Sequence, residues 1–72
     1  MAIDKVDIKG ARQLANLTQE KMGEICGVTS GTVANWENYR TEMTVSQAEK
    51  FSAACGLTYD DIIFMPKNTV KP

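Results

Sequence analysis

The sequence predicts an all-α fold, a compact domain of five short helices. Three observations carry that expectation. Apolar residues recur at three- and four-residue intervals in successive segments. An Asp or Thr able to cap a helix opens each segment, and Asn, Gly or Pro closes most of them.

The first helix is expected from about Asp7 to Ala15, with Asp7 as N-cap and Ile8, Ala11 and Leu14/Ala15 on one face. Gly10 weakens it, and Asn16 tolerates the left-handed conformation that ends it. Thr18 caps the second helix, Gln19 to Cys26, whose inward stripe reads Met22, Ile25 and Cys26 and which stops at Gly27. Thr29 caps a third helix running to about Asn38 with Val33 and Trp36 inward. The link Gly27-Val28 allows only a tight turn, so the second and third helices form a helix-turn-helix unit. Thr44 and Gln47 have capping-box spacing and open a fourth helix to Cys55, with Val45, Ala48, Phe51 and Cys55 inward and Gly56 at its end. Thr58 begins a last short helix, Tyr59 to Phe64, acidic in its first turn at Asp60 and Asp61 and stopped by Pro66. Strand signals are negligible. The domain is expected over residues 1–65, followed by a flexible tail at 66–72.

At 72 residues, 43% apolar and 24% charged, the chain suits one small globular domain that encloses no large catalytic cavity. It has no histidine and two cysteines, too few ligands for a zinc site, and both cysteines read as small core residues. No nucleophile–base pair or phosphate loop is present, so neither an enzyme nor a cofactor is expected. No apolar run approaches the roughly 18 residues of a membrane span, and the N-terminus lacks a signal-peptide pattern. A cytoplasmic protein is expected. A net charge of −1 sits awkwardly with nucleic-acid binding, which needs a local basic face but not a basic chain.

The segment from Gln19 to Asn38 resembles the helix-turn-helix of Cro/cI-type (lambda-repressor-like) regulators. Gly23 falls where the two helices cross, Gly27 makes the turn, and Met22, Cys26, Val28, Val33 and Trp36 fill the space between. Leu17-Thr18-Gln19, Trp36-Glu37-Asn38, Gly56-Leu57-Thr58 and Asp60-Asp61-Ile62 extend the likeness to roughly residues 7–64. The resemblance implies that Arg12 and Glu37 form a structural ion pair, partly buried, which fixes orientation more than it adds stability. It also implies that the third helix enters the DNA major groove. Gln19 would hold a phosphate at the start of the second helix, and Thr29, Ser30, Gly31, Thr32 and Asn35 would face the bases. Asn35 suits adenine, Thr32 a thymine methyl, and Arg40 a phosphate, with Lys21 a weaker phosphate candidate.

Four departures bear on that picture. Ser30 and Gly31 replace the long amide or basic side chains that many relatives carry, Tyr39 stands where glycine is common, and Glu42 adds negative charge. The third helix carries no Lys or Arg, which predicts modest sequence-specific affinity.

Two functions follow. One is a phage-type transcription regulator of the lysogenic/lytic switch that binds double-stranded operator DNA. It would act as a homodimer through Tyr59, Ile63, Phe64 and Met65, residues that could equally pack within one chain. The other is a modulator of repression, an antirepressor that binds a cognate cI-type repressor; the acidic Glu20, Glu24 and Glu42 would complement that partner's basic surface. An antitoxin is a third possibility, but no toxin-neutralising segment is evident.

Overall fold

Side-chain oxygens set where the α-helices begin, and left-handed backbone sets where they end. The computed structural model describes residues 5–64 of the 72-residue chain. Within that span the order is β1 (Val6–Asp7), α1 (Ile8–Leu14), α2 (Gln19–Cys26), α3 (Ser30–Glu37), α4 (Val45–Cys55), a 3-10 turn at Tyr59–Asp61 and β2 (Ile62–Ile63). Asp7, Thr18, Thr29 and Thr44 sit in extended backbone, and each accepts a hydrogen bond from the N–H three residues on. Each such cap contributes about 1 kcal/mol. The capping box of Thr44 and Gln47 is complete.

The left-handed residues that follow the helices are Asn16 (φ 59°), Gly27 (77°), Tyr39 (58°) and Gly56 (71°). Three of them are followed by a half-buried apolar residue that packs on the core, Leu17, Val28 or Leu57. Tyr39 is instead followed by the exposed Arg40.

One core joins the elements. Ile8, Ala11, Met22, Cys26, Val33, Trp36, Phe51 and Ile62 form a single buried cluster. Phe51, fully buried within it, meets Trp36 at 6.4 Å and Phe64 at 6.1 Å in the edge-to-face geometry that aromatic quadrupoles favour. α2 packs on both α3 and α4, so the helix-turn-helix unit rests on α4 as a base.

The structure corrects the sequence expectation at its C-terminal end. The described residues contain four α-helices, and the fifth, expected from Tyr59 to Phe64, is reduced to one 3-10 turn. Beyond it β2 pairs in parallel with β1, Val6 opposite Ile62 and Asp7 opposite Ile63. Two consecutive β-branched isoleucines favour extended backbone, and neither Tyr59 nor the acidic pair before them supplies enough helix to compete. In the turn, the Thr58 N–H (3.0 Å) and hydroxyl (2.9 Å) both donate to the Asp61 carboxylate. Those two hydrogen bonds, the backbone one foremost, hold Asp61 below the usual carboxylate range. The fold is therefore all-α in its broad architecture, with a small parallel pair added.

Three residues expected to face inward are exposed: Leu14 (69%), Ile25 (38%) and Val45 (76%). At about 100° per residue, the buried stripe of α2 runs through Met22, Gly23 and Cys26, and Ile25 falls to its side. Leu14 is likewise turned from the α1 face made by Ile8 and Ala11. Cys55 is half-buried, while Ala48, Phe51 and Ser52 form the buried face of α4. The domain boundary near residue 65, the stop at Pro66 and the tail at 66–72 lie outside the described residues. No helix among the described residues is long and apolar enough to cross a membrane.

Candidate nucleic-acid interface

The elbow between α2 and α3 decides which residues can meet a partner. A Cβ placed on Gly23 would lie 2.6 Å from the Val28 carbonyl oxygen, so only glycine allows the turn to close on α2. The Val28 N–H donates to the Gly23 carbonyl oxygen at 2.8 Å and seals that approach. Gly27 supplies the left-handed step between them. α3 leaves this turn with Val33 and Trp36 fully buried, and its opposite side is turned out.

That outer side carries Gly31 and Asn35, both exposed, with Thr29 exposed at the helix start and Ser30 and Thr32 half-buried. Thr29 accepts from the Thr32 N–H at 3.2 Å, and the two threonine hydroxyls pair at 3.1 Å. Their hydroxyls are thus engaged with each other, leaving the methyl groups as the apolar part of the surface. The only ionisable side chain on α3 is Glu37, and it faces inward. The surface is neutral and short-chained.

Arg12 and Glu37 form an ion pair between α1 and the end of α3, with side chains only 11% and 5% exposed. Arg12 Nη1 also donates to the Leu17 carbonyl oxygen at 2.7 Å. Gln19, the expected phosphate ligand, joins this group: its Nε2 donates to Glu37 Oε1 at 3.1 Å. One network therefore spans α1, the start of α2 and the end of α3.

Arg40 is exposed beyond α3, and its N–H donates to the Asn35 carbonyl oxygen at 2.9 Å. Lys21 lies 3.5 Å from Glu24, with side chains 60% and 72% exposed, a surface pair of little energetic consequence. The structure thus brings Thr29, Ser30, Gly31, Thr32 and Asn35 onto one helix, with Gln19 tied to its last turn and Arg40 just beyond it.

Two features of this region were not read from the sequence. The first is the hydrogen bond from Gln19 to Glu37. The second is the Tyr39 hydroxyl, which donates to the Ile63 carbonyl oxygen at 2.6 Å and accepts from the Ile8 N–H at 3.3 Å. A tyrosine at a position where the resembled family commonly carries glycine was the available signal, but its partners are distant in sequence.

Among the described residues no group of His, Cys, Asp and Glu could hold a metal ion. Both thiols are pushed upward, chiefly by burial, Cys55 to about 11. They are suited to packing and not to nucleophilic chemistry.

A family model described as helix-turn-helix matches residues 8–62, which takes in every residue of the elbow and the network around it. Comparison with curated proteins and with solved structures gives no match.

Proposed function

The chain belongs to the Cro/cI-like helix-turn-helix family of DNA-binding transcription regulators, and on that footing we propose that it controls a phage lysogenic/lytic switch by binding operator DNA through α3. The observation that supports this most is the division of α3 into two sides. Val33 and Trp36 hold the helix to the core, while Thr29, Ser30, Gly31, Thr32 and Asn35 have no core duty to keep them from a partner. In the major groove Asn35 pairs with adenine, and the Thr32 methyl meets a thymine methyl. Gln19 and Arg40 hold phosphates on either side, and Lys21 adds a weaker contact. The family is typically non-enzymatic, which agrees with this reading.

Two copies bind a pseudo-palindromic site with their recognition helices about one DNA turn apart. The Tyr59 side favours self-association: Val45 and Tyr59 (55% exposed) border a shallow groove that also includes Met43 and Phe64. Phe64 is already stacked on Tyr59 at 4.8 Å and packed on Phe51, so Tyr59 and Val45 offer the free apolar area. Met65, also named from sequence for this contact, lies outside the described residues.

A second reading is favoured by one specific observation, the absence of any exposed cation on α3. On that reading the chain is a modulator that seats this neutral face against the basic DNA-binding surface of a cI-type repressor, with the exposed Glu20, Glu24 and Glu42 complementing that surface. The two readings separate in one experiment: the purified chain is titrated into promoter DNA from its own locus, with and without the neighbouring repressor. A regulator shifts the DNA alone, with affinity that falls as salt rises. A modulator leaves the DNA unshifted but binds the repressor.

A further inference from the structure

Glu37 is almost wholly buried, yet only one of its carboxylate oxygens is taken by Arg12. The other faces Gln19 at the start of α2. A carboxylate only accepts hydrogen bonds, so it selects which end of the Gln19 amide turns inward: the nitrogen. One N–H of that amide is then consumed, and the second N–H and the amide oxygen remain available at the surface. They stand beside the backbone N–H groups of Gln19 and Glu20, which the helix leaves without acceptors of its own.

We infer that Glu37 is a positioning residue for DNA: it holds the Gln19 amide in a single orientation, with its second N–H left free for a backbone phosphate. An unrestrained glutamine would sample rotamers at an entropic cost on binding and could present either end of its amide. The buried ion pair thus does more than fix the helices. Arg12 neutralises Glu37, Glu37 orients Gln19, and the phosphate meets a neutral donor. The inference rests on the DNA-binding reading above and adds a role for a residue that never touches DNA.

The test compares the wild-type full chain with Gln19→Ala, Glu37→Asp and the double variant. Glu37→Asp keeps the charge that Arg12 needs but withdraws the oxygen facing Gln19; Gln19→Ala removes an amide at the surface and folds. Affinity for a short mixed-sequence DNA duplex is read by fluorescence anisotropy across a salt series, and the Gln19 side-chain amide is followed by NMR without DNA. Each single variant is expected to lose roughly 3- to 10-fold in affinity, with the salt slope unchanged because a neutral contact releases no counterion. The double variant loses no more than the weaker single one. The Gln19 amide is ordered in the wild type and averages to exposed-glutamine values in Glu37→Asp. Additive losses in a chain that binds the duplex overturn the positioning role while leaving DNA binding intact. An averaged Gln19 amide in the wild type overturns it whatever the duplex does. An ordered amide in a wild-type chain that binds no duplex overturns the phosphate contact together with the DNA reading.

Discussion

Replacing Tyr39 by Phe removes one oxygen and leaves the ring and the backbone as they are. That oxygen joins the Ile63 carbonyl at 2.6 Å and the Ile8 N–H at 3.3 Å, so both lose a partner in a part-buried setting. A hydrogen bond of this kind contributes about 1 kcal/mol. With the longer contact discounted, the loss is about 1.5 kcal/mol. For a domain of this size that lowers Tm by about 6–12 °C. The loss should be local in origin: amide exchange at Ile8 accelerates along with that of β2, while the core of α2 is affected only through global opening.

Tyr39→Gly supplies the control, because Tyr39 holds φ at 58°, where a side chain costs about 1–2 kcal/mol. Glycine relieves that strain but loses the bridge and the packing of a half-buried ring, and it adds backbone entropy to the unfolded chain. Glycine should therefore melt below the wild type. Alkaline titration gives a further check. Burial, foremost, raises the Tyr39 phenol above its ordinary value of 10.0, so the folded state holds this proton more tightly than the unfolded one. Its contribution is complete below that value and is lost as pH rises through the raised one; Tyr39→Phe lacks this limb. A phenylalanine variant that melts with the wild type, or a glycine variant that melts above it, would refute the reasoning.

The remaining predictions concern the elbow, a thiol and the DNA face. Gly23→Ala forces a Cβ to within 2.6 Å of a backbone oxygen and should cost about 3 kcal/mol or more despite alanine's better helix propensity. Gly27→Ala, in open space at φ 77°, should cost only about 1 kcal/mol; denaturant melts that rank the two in the other order would sink the crossing argument. Cys55, with its thiol raised from 9.0 to about 11, should react with iodoacetamide at pH 8 on the order of a hundredfold more slowly than an unperturbed thiol; mass spectrometry showing labelling at the free-cysteine rate contradicts its burial. Arg40→Ala should weaken operator binding and reduce the salt slope by about 1, and an unchanged slope would remove Arg40 from the phosphate contacts.

What the sequence made legible was local. Asp7, Thr18, Thr29 and Thr44 cap where their positions before apolar runs said they would, because a cap needs only a side-chain oxygen and an N–H three residues on. Asn16, Gly27 and Gly56 end helices for an equally local reason, the ease of positive φ. The burial of Val33 and Trp36 was readable from their three-residue spacing alone. The misses share a different cause. Ile62 and Ile63 continue a plausible helical pattern, and only β1, more than fifty residues earlier, makes them a strand. Tyr39 finds its two partners 31 and 24 residues away, and Gln19 meets Glu37 across 18. Leu14, Ile25 and Val45 were misplaced because a periodic stripe gives a face but not its width, which the neighbouring helices set.

Charge then limits how this face can bind. A protein that neutralises Z phosphates releases counterions with a salt slope of about −0.9Z. Beside α3 the chain offers Arg40 and, at a lesser level, Lys21, whose ammonium already lies 3.5 Å from Glu24. Counting these two cations alone gives one copy a slope of about −2, and a symmetric pair about twice that. The rest of the affinity must come from neutral donors, the helix N–H groups and the Gln19 amide, and from shape. Such contacts are short-ranged and geometrically demanding, which makes their positioning matter more than it would for a lysine-rich surface. It also gives the two functional readings a common physical root: a face that neither attracts phosphate strongly nor repels a basic protein can bind either only where its geometry is held fixed. The network of Arg12, Glu37 and Gln19 and the Tyr39 bridge both hold the C-terminal end of α3, while the Val28 N–H bonded to the Gly23 carbonyl holds its start.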